Sequence, residues 1–274
     1  MKVDSWLKQA VNKLEKAGIG SARLDVLILL EDECSKDRSY VLAHPEIVLS
    51  KTRIKRLNSR LARRQKHLPM AYIRGFSEFY GRKFKVNRHV LEPRPESETM
   101  IELLKQLVEG GEWRVGRKLT VADVGTGSGA IGIAVALEIP GAVVDLYDID
   151  ANALAVAKHN MVMHELHLKV YKRDLLTRPV REYEVILANL PYVPNRWQIN
   201  EAAAMEPRIA IFGGGDGLDL YRRLFKQLAK MDQKPQFVFT ESLPPQHIEL
   251  ARLAAESRYK LIQSQDFIQI FEKG

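Results

Sequence analysis

The sequence predicts an α/β protein, with a mostly parallel sheet flanked by helices on both faces and a small all-helical segment in front of it. Three observations carry this. From Leu119 onward short apolar runs alternate with helical stretches, the pattern of repeated βαβ units. Before residue 75 the apolar residues fall almost entirely at helical spacing. Between the two, Leu91-Glu92-Pro93-Arg94-Pro95-Glu96 reads as extended, because two prolines one residue apart do not fit a helix interior.

Taken in order, Trp6, Leu7, Ala10, Val11 and Leu14 mark a helix over 3–17, which Gly18 and Gly20 end. Ser21 is placed to cap a second helix, in which Leu24, Leu27, Ile28 and Leu30 are apolar. A short helical turn near 39–43 is closed by His44-Pro45, and Ser50 is placed to cap a third long helix carrying Ile54, Leu57 and Leu61. That helix and the residues just after it hold Lys51, Arg53, Lys55, Arg56, Arg60, Arg63, Arg64 and Lys66 with no acid among them. Phe79 to Val86 reads as a hairpin turning at Gly81-Arg82, and a helix is expected from about Ser97. Strands are then expected at 119–124, 143–149, 168–173, 183–188 and 237–241, with a final pair near 261–271. Helices are expected at 130–138, 151–163, 218–230 and 245–256. The expected division is 1–75, 76–98 and 99–274.

An apolar fraction of 46% over 274 residues is enough for a substantial core. The single cysteine, Cys34, rules out an intrachain disulfide framework and a Cys-based zinc site. MKVDSWLKQA lacks the apolar centre of a secretory leader, and no apolar run reaches membrane-spanning length, so a cytoplasmic protein with no membrane partner is expected. The net charge of +8 is uneven, with 20 Lys+Arg against 9 Asp+Glu in residues 1–90 and 22 against 25 after them. The N-terminal part is therefore expected either to meet an acidic partner or to present a solvated basic face.

The residues that carry chemistry fall at the C-terminal ends of the expected strands, where open α/β sheets bind ligands. Asp123-Val-Gly125-Thr126-Gly127-Ser128-Gly129 follows the first strand. Gly127 to Gly132 fits the G-x-G-x-x-G dinucleotide pattern, and Asp148, at the end of the next strand, suits a ribose diol. Asn189-Leu190-Pro191-Tyr192 follows a buried strand. It suits a planar NH2-bearing group: the Asn189 side-chain oxygen and the Leu190 carbonyl can each accept one N–H. Pro191 biases Leu190 toward extended backbone, and Tyr192 is placed to cover a flat face. The plainer reading is a strand-to-loop turn of ordinary turn residues. His159, His164 and His167 lack an acidic or Cys partner, and no metal is expected. Gly213 to Gly217 is expected as a flexible segment over the site, and Arg94 with Glu96 either as a surface ion pair or at the site entrance.

Asp123-x-Gly125-x-Gly127-x-Gly129 resembles the S-adenosylmethionine loop of class I methyltransferases. The resemblance implies a Rossmann-like class I fold with S-adenosylmethionine as cofactor. It also implies cofactor binding by Asp123, Gly125, Thr126, Gly127, Ser128 and Gly129, with Asp148 on the ribose, Asp174 and Leu175 at the adenine, and Asn189 beside them. Leu68 to Gly75, Glu78 to Gly81, Leu91 to Glu98, Asp123 to Ile131, Asn189 to Tyr192 and Glu206 to Leu218 occur in one order. Together they resemble the HemK/PrmC family, which methylates the side-chain amide of the glutamine in the Gly-Gly-Gln motif of peptide chain release factors. This implies catalysis and substrate binding by Asn189, Leu190, Pro191 and Tyr192, with Arg94 at the substrate entrance. It implies a release factor as partner, nucleic acid as the less favoured partner, and a monomer. On this reading 1–75 is a helical substrate-recognition domain, 76–98 a hairpin and connector, and 99–274 the S-adenosylmethionine-binding catalytic domain. Three departures stand out. Leu190 replaces the family's usual proline, so the motif also resembles that of ribosomal RNA adenine dimethyltransferases. Glu92 stands where the family often has Ile, and the C-terminal hairpin at Asp266-Phe267-Ile268 is short. The alternatives are an RNA adenine methyltransferase and a binding module with a vestigial site.

Overall fold

Residues 1–110 and 118–274 are described by the computed structural model. They fall into two units, Met1–Arg74 with Asn200–Met205, and Gly75–Ile199 with Glu206–Gly274.

The first unit consists of α1 (Val3–Lys16), α2 (Ala22–Cys34), α3 (Arg38–Ala43), α4 (Lys51–Arg64) and α5 (Met70–Arg74), together with residues 200–205. Trp6, Leu14, Leu29, Leu30, Leu57 and Leu61 are buried in its core, and the indole of Trp6 donates to Asn58 Oδ1 at 3.0 Å. Ser50 caps α4 as expected, its hydroxyl accepting from Arg53 N at 3.3 Å. Ser21 does not cap α2; its hydroxyl donates to Asp25 Oδ2 at 2.9 Å instead. The basic face of α4 is partly neutralised by α2, which the sequence of α4 alone does not reveal. Arg64 Nε donates to Asp25 Oδ2 at 2.7 Å in a buried pair, and Arg56 Nε donates to Glu33 Oε1 at 3.0 Å. Arg63 donates to the Tyr72 carbonyl at 3.1 Å. Lys51, Lys55 and Lys66 remain exposed.

The second unit opens with a hairpin of β1 (Phe76–Phe79) and β2 (Arg82–Lys85). Its turn lies at Tyr80-Gly81, both at positive φ, one residue earlier than the sequence suggests. Pro95 does not stay extended. It opens a 3₁₀ turn, Pro95–Ser97, leading into α6 (Glu98–Glu109), because its fixed φ suits a first helical position.

The main sheet contains β3 (Thr120–Val124), β4 (Val143–Asp148), β5 (Lys169–Lys172), β6 (Val185–Ala188), β7 (Phe237–Glu241), β8 (Tyr259–Gln265) and β9 (Ile268–Lys273). Its order is β5-β4-β3-β6-β7-β9-β8. The first five are mutually parallel, β9 runs antiparallel to β7, and β8 antiparallel to β9. The short C-terminal hairpin therefore completes the sheet. Its helices are α7 (Ala130–Glu138), α8 (Ala151–Met163), α9 (Asp219–Ala229) and α10 (His247–Glu256). Val185 to Ala188 are buried throughout, since β6 lies between layers: Val185 and Leu187 join one apolar cluster, Ile186 and Ala188 the other. Strand order reverses between β3 and β6, which opens a crevice at their carboxyl ends.

Candidate functional site

That crevice is a cavity of about 360 Å³, lined among others by the β3–α7 loop, the ends of β4 and β5, and Asn189 to Pro191. The loop turns through positive φ at Gly125, Gly127 and Gly129, which L side chains rarely adopt. Gly125 N and Thr126 N both donate to the Tyr147 carbonyl at 2.9 Å, which ties the loop to β4. Gly125, Thr126, Gly127 and Ser128 line the cavity. Asp123 and Gly129, grouped with them on sequence grounds, do not. Asp123 lies beneath the loop, accepting from Thr126 Oγ1 at 2.6 Å and Gly132 N at 2.9 Å, and burial raises its pKa to about 6. Gly129 caps the start of α7, and a Cβ there would stand 3.0 Å from Ile133 and 3.2 Å from Ala157 of α8.

Asp148 lines the cavity at the end of β4. It accepts from Gly127 N at 2.9 Å and Asp150 N at 2.8 Å, and burial raises its pKa. Asp174 and Leu175 line it after β5, with Asp174 paired to Arg223. Asn160 on α8, which sequence reasoning missed, donates to the Ser128 carbonyl at 2.8 Å and accepts from Lys85 N at 2.7 Å. It thus joins the loop to β2.

Asn189, Leu190 and Pro191 line the same cavity. Asn189 Nδ2 donates to Ser97 Oγ at 2.8 Å and to Glu241 Oε2 at 2.9 Å. The nitrogen end of the amide is thereby committed to these two oxygens, and the side-chain oxygen is the acceptor left over. Leu190 is held by its N–H, which donates to the Tyr221 hydroxyl at 3.3 Å, and by its side chain against Gly125. Tyr192 does not line the cavity and does not cover it. Its hydroxyl donates to Glu241 Oε1 at 3.0 Å, and burial and the neighbouring Glu241 charge push its pKa up. Glu241 is itself buried, and that burial raises its carboxyl pKa against three hydrogen bonds that lower it.

The Gly213 to Gly217 segment is not a loose flap. A Cβ on Gly213 would stand 2.2 Å from the Pro191 oxygen, and one on Gly217 2.0 Å from the Tyr192 oxygen. The segment is therefore seated on the backbone of the tetrapeptide. Gln246 clamps both, donating to the carbonyls of Tyr192 at 2.8 Å and Asp216 at 2.7 Å. Arg94 lines the cavity, but it pairs with buried Glu206 and, at 3.9 Å, with Glu92 rather than with Glu96. Glu206 also accepts from Glu92 N at 3.1 Å, and the Glu92 carboxylate accepts from Ser77 at 2.9 Å. The unusual Glu92 is thus accommodated by polar partners.

The arrangement lines a single cavity with a backbone cradle, two carboxylates and the Asn189 side-chain amide. Its glycine-permitted close approach, with carboxylates at the ends of β4 and β5, fits a nucleoside-bearing cofactor. Among the described residues no cluster of three His, Cys, Asp or Glu side chains could hold a metal ion, and no helix is long and apolar enough to cross a membrane.

A family model described as PrmC N-terminal domain matches residues 5–75, and one described as methyltransferase small domain matches 98–206. A release factor glutamine methyltransferase from Coxiella burnetii is 39% identical over 72% of this chain and 70% of its own. One from Koribacter versatilis is 37% identical over 80% of this chain and 78% of its own. A bifunctional methyltransferase from Rickettsia bellii is 32% identical over 83% of this chain, which spans only 46% of that protein. Among solved structures, the hMettl16 catalytic domain in complex with an RNA hairpin superposes with a TM-score of 0.54 at 14% identity, over 82% of both chains. The T. thermophilus 16S rRNA methyltransferase RsmC, in complex with AdoMet and guanosine, gives 0.52 at 17% identity, over 73% of this chain and 50% of that one. These two likenesses are of fold.

Proposed function

The chain belongs to the release factor glutamine methyltransferase family, and on that footing we propose that it transfers a methyl group from S-adenosylmethionine to the side-chain amide nitrogen of the glutamine in the Gly-Gly-Gln motif of peptide chain release factors. The observation that carries this reading is the Asn189 amide, whose nitrogen is held by Ser97 and Glu241 so that its oxygen is the end available to an incoming NH2. When bound, S-adenosylmethionine supplies a methyl group made electrophilic by its sulfonium. The task of the chain is then to hold a poorly nucleophilic amide nitrogen in line with it.

In this reading Gly125, Thr126, Gly127 and Ser128 cradle the amino-acid part of the cofactor. Asp148 takes the ribose hydroxyls, and Asp174 and Leu175 flank the adenine. Asp123 and Gly129 act indirectly, by shaping the loop. Asn189 Oδ1 and the Leu190 carbonyl accept the two N–H groups of the substrate glutamine, with Pro191 fixing the backbone between them. Positioning of this kind supplies ~7–11 kcal/mol in favourable systems. Arg94 stands at the entrance, and the helical unit over 1–75 recognises the release factor. The protein acts in the cytoplasm as a monomer.

The test is incubation with labelled S-adenosylmethionine, a release factor and ribosomal RNA together. Label on the release factor supports the reading. Label on adenine in the RNA, which Leu190 makes the second candidate, overturns it.

A further inference from the structure

We propose that Ser97 and Glu241 are positioning residues that decide which end of the Asn189 side-chain amide faces the cavity. This rests on the reading of Asn189 given above and adds the device that makes it work. An Asn amide has nearly the same shape in its two orientations, yet one presents an acceptor and the other a donor. An acceptor welcomes the NH2 of glutamine; a donor would suit a carboxylate.

Three hydrogen bonds among Asn189 and its two partners make the choice. Asn189 Nδ2 donates to Glu241 Oε2 at 2.9 Å and to Ser97 Oγ at 2.8 Å. The Ser97 hydroxyl spends its own hydrogen on the same Glu241 oxygen, at 2.6 Å, and so can only accept from Asn189. In the flipped amide the Asn189 oxygen would face a carboxylate oxygen and a hydroxyl oxygen, and Ser97 could donate to it only by giving up its own bond to Glu241.

Glu241 is in turn held from its other side. Tyr192 donates to its second oxygen at 3.0 Å, and the Tyr221 hydroxyl bonds to its main-chain carbonyl. A carboxylate only 1% exposed is expensive to bury, and three donors offset that cost. An apolar side chain at the end of β7 would fill the space without fixing Asn189. Ser97 lies at the end of the 3₁₀ turn before α6, so the brace joins three segments distant in sequence.

The experiment is a double-mutant cycle on single-turnover methyl transfer to a release factor, with Ser97→Ala, Asn189→Ala and the pair. Ser97→Ala is expected to slow transfer about ten-fold, within the range for coupled neighbours, with S-adenosylmethionine affinity unchanged. In the Asn189→Ala background the same substitution is expected to cost nothing more. An equal loss in both backgrounds overturns the brace and leaves the role of Asn189 standing. Wild-type transfer by Asn189→Ala overturns both. As a second variant, Glu241→Leu removes the acceptor at Asn189 Nδ2 altogether. It is expected to narrow the preference in binding for the native release factor over one whose glutamine is replaced by glutamate; an unchanged preference in folded Glu241→Leu overturns the proposal.

Discussion

Asp123 illustrates how a residue's type can be legible while its role is not. The sequence singles it out two positions before Gly125, and the structure places it under the loop, bonded to Thr126 and Gly132. Its pKa of about 6, against 3.8 ordinarily, means that the folded chain binds its proton more tightly than the unfolded chain does. The stability this contributes is present at low pH and lost as pH rises through about 6. The stability of wild type relative to Asp123→Asn is therefore expected to fall between pH 4 and 6.5, by at most about 3 kcal/mol. Thermal melts of both proteins across that range check it, and a pH-independent difference would contradict the buried-carboxylate account. Ser97 and Glu241 were not legible as site residues, because their bonds to Asn189 span 92 and 52 positions. The one available signal was that Glu241 ends an expected strand at the same sheet edge as Asn189.

Elements were legible where local chemistry decides them. The expected bounds of α7, α8 and β7 match those observed, since flanking turn residues and buried apolar runs mark them from within. The hairpin turn was misplaced because Tyr80 takes a positive φ, which its residue type does not announce. The close packing of the glycines in the Gly213 to Gly217 segment was not legible, because its cause is tertiary. Gly217→Ala, at φ +87° and against the Tyr192 carbonyl, is expected to destabilise the fold by more than ~1 kcal/mol and to cut turnover. Gly215→Ala meets nothing within 4 Å and is expected to be near neutral in both. Melting curves and methyl-transfer rates of the two variants separate seating from flexibility. In α4, Lys51 and Lys55 are exposed, while Arg64 pairs with Asp25 in the core of its unit. Reversing the two lysines is expected to raise the KM for release factor and weaken its salt dependence, with cofactor affinity and melting temperature held. Arg64→Ala is instead expected to cost ~3–5 kcal/mol of stability, because it strands a buried Asp25. Equal KM values for the reversed and native proteins would reduce the basic face to a solubility feature.

At the scale of the whole molecule, the parallel run of strands follows from the alternation of strands and helices that the sequence displays, while the strand order and the crevice at its reversal are given by the structure. That frame brings the glycine loop, Asp148, Asp174 and Asn189 to one cavity, although they come from four separate connections. What the frame does not dictate is which nitrogen is methylated; in the proposed function that rests on two acceptors, Asn189 Oδ1 and the Leu190 carbonyl. Leu190→Pro keeps the second acceptor while changing the residue at which the glutamine and RNA readings part. The most direct measurement is mass spectrometry of peptides from a release factor incubated with S-adenosylmethionine and either the native protein or Leu190→Pro. Both proteins are expected to place one methyl group on the side-chain nitrogen of the Gly-Gly-Gln glutamine, and none when that glutamine is replaced. A methyl group found at another residue, or label that persists without the glutamine, would contradict the account.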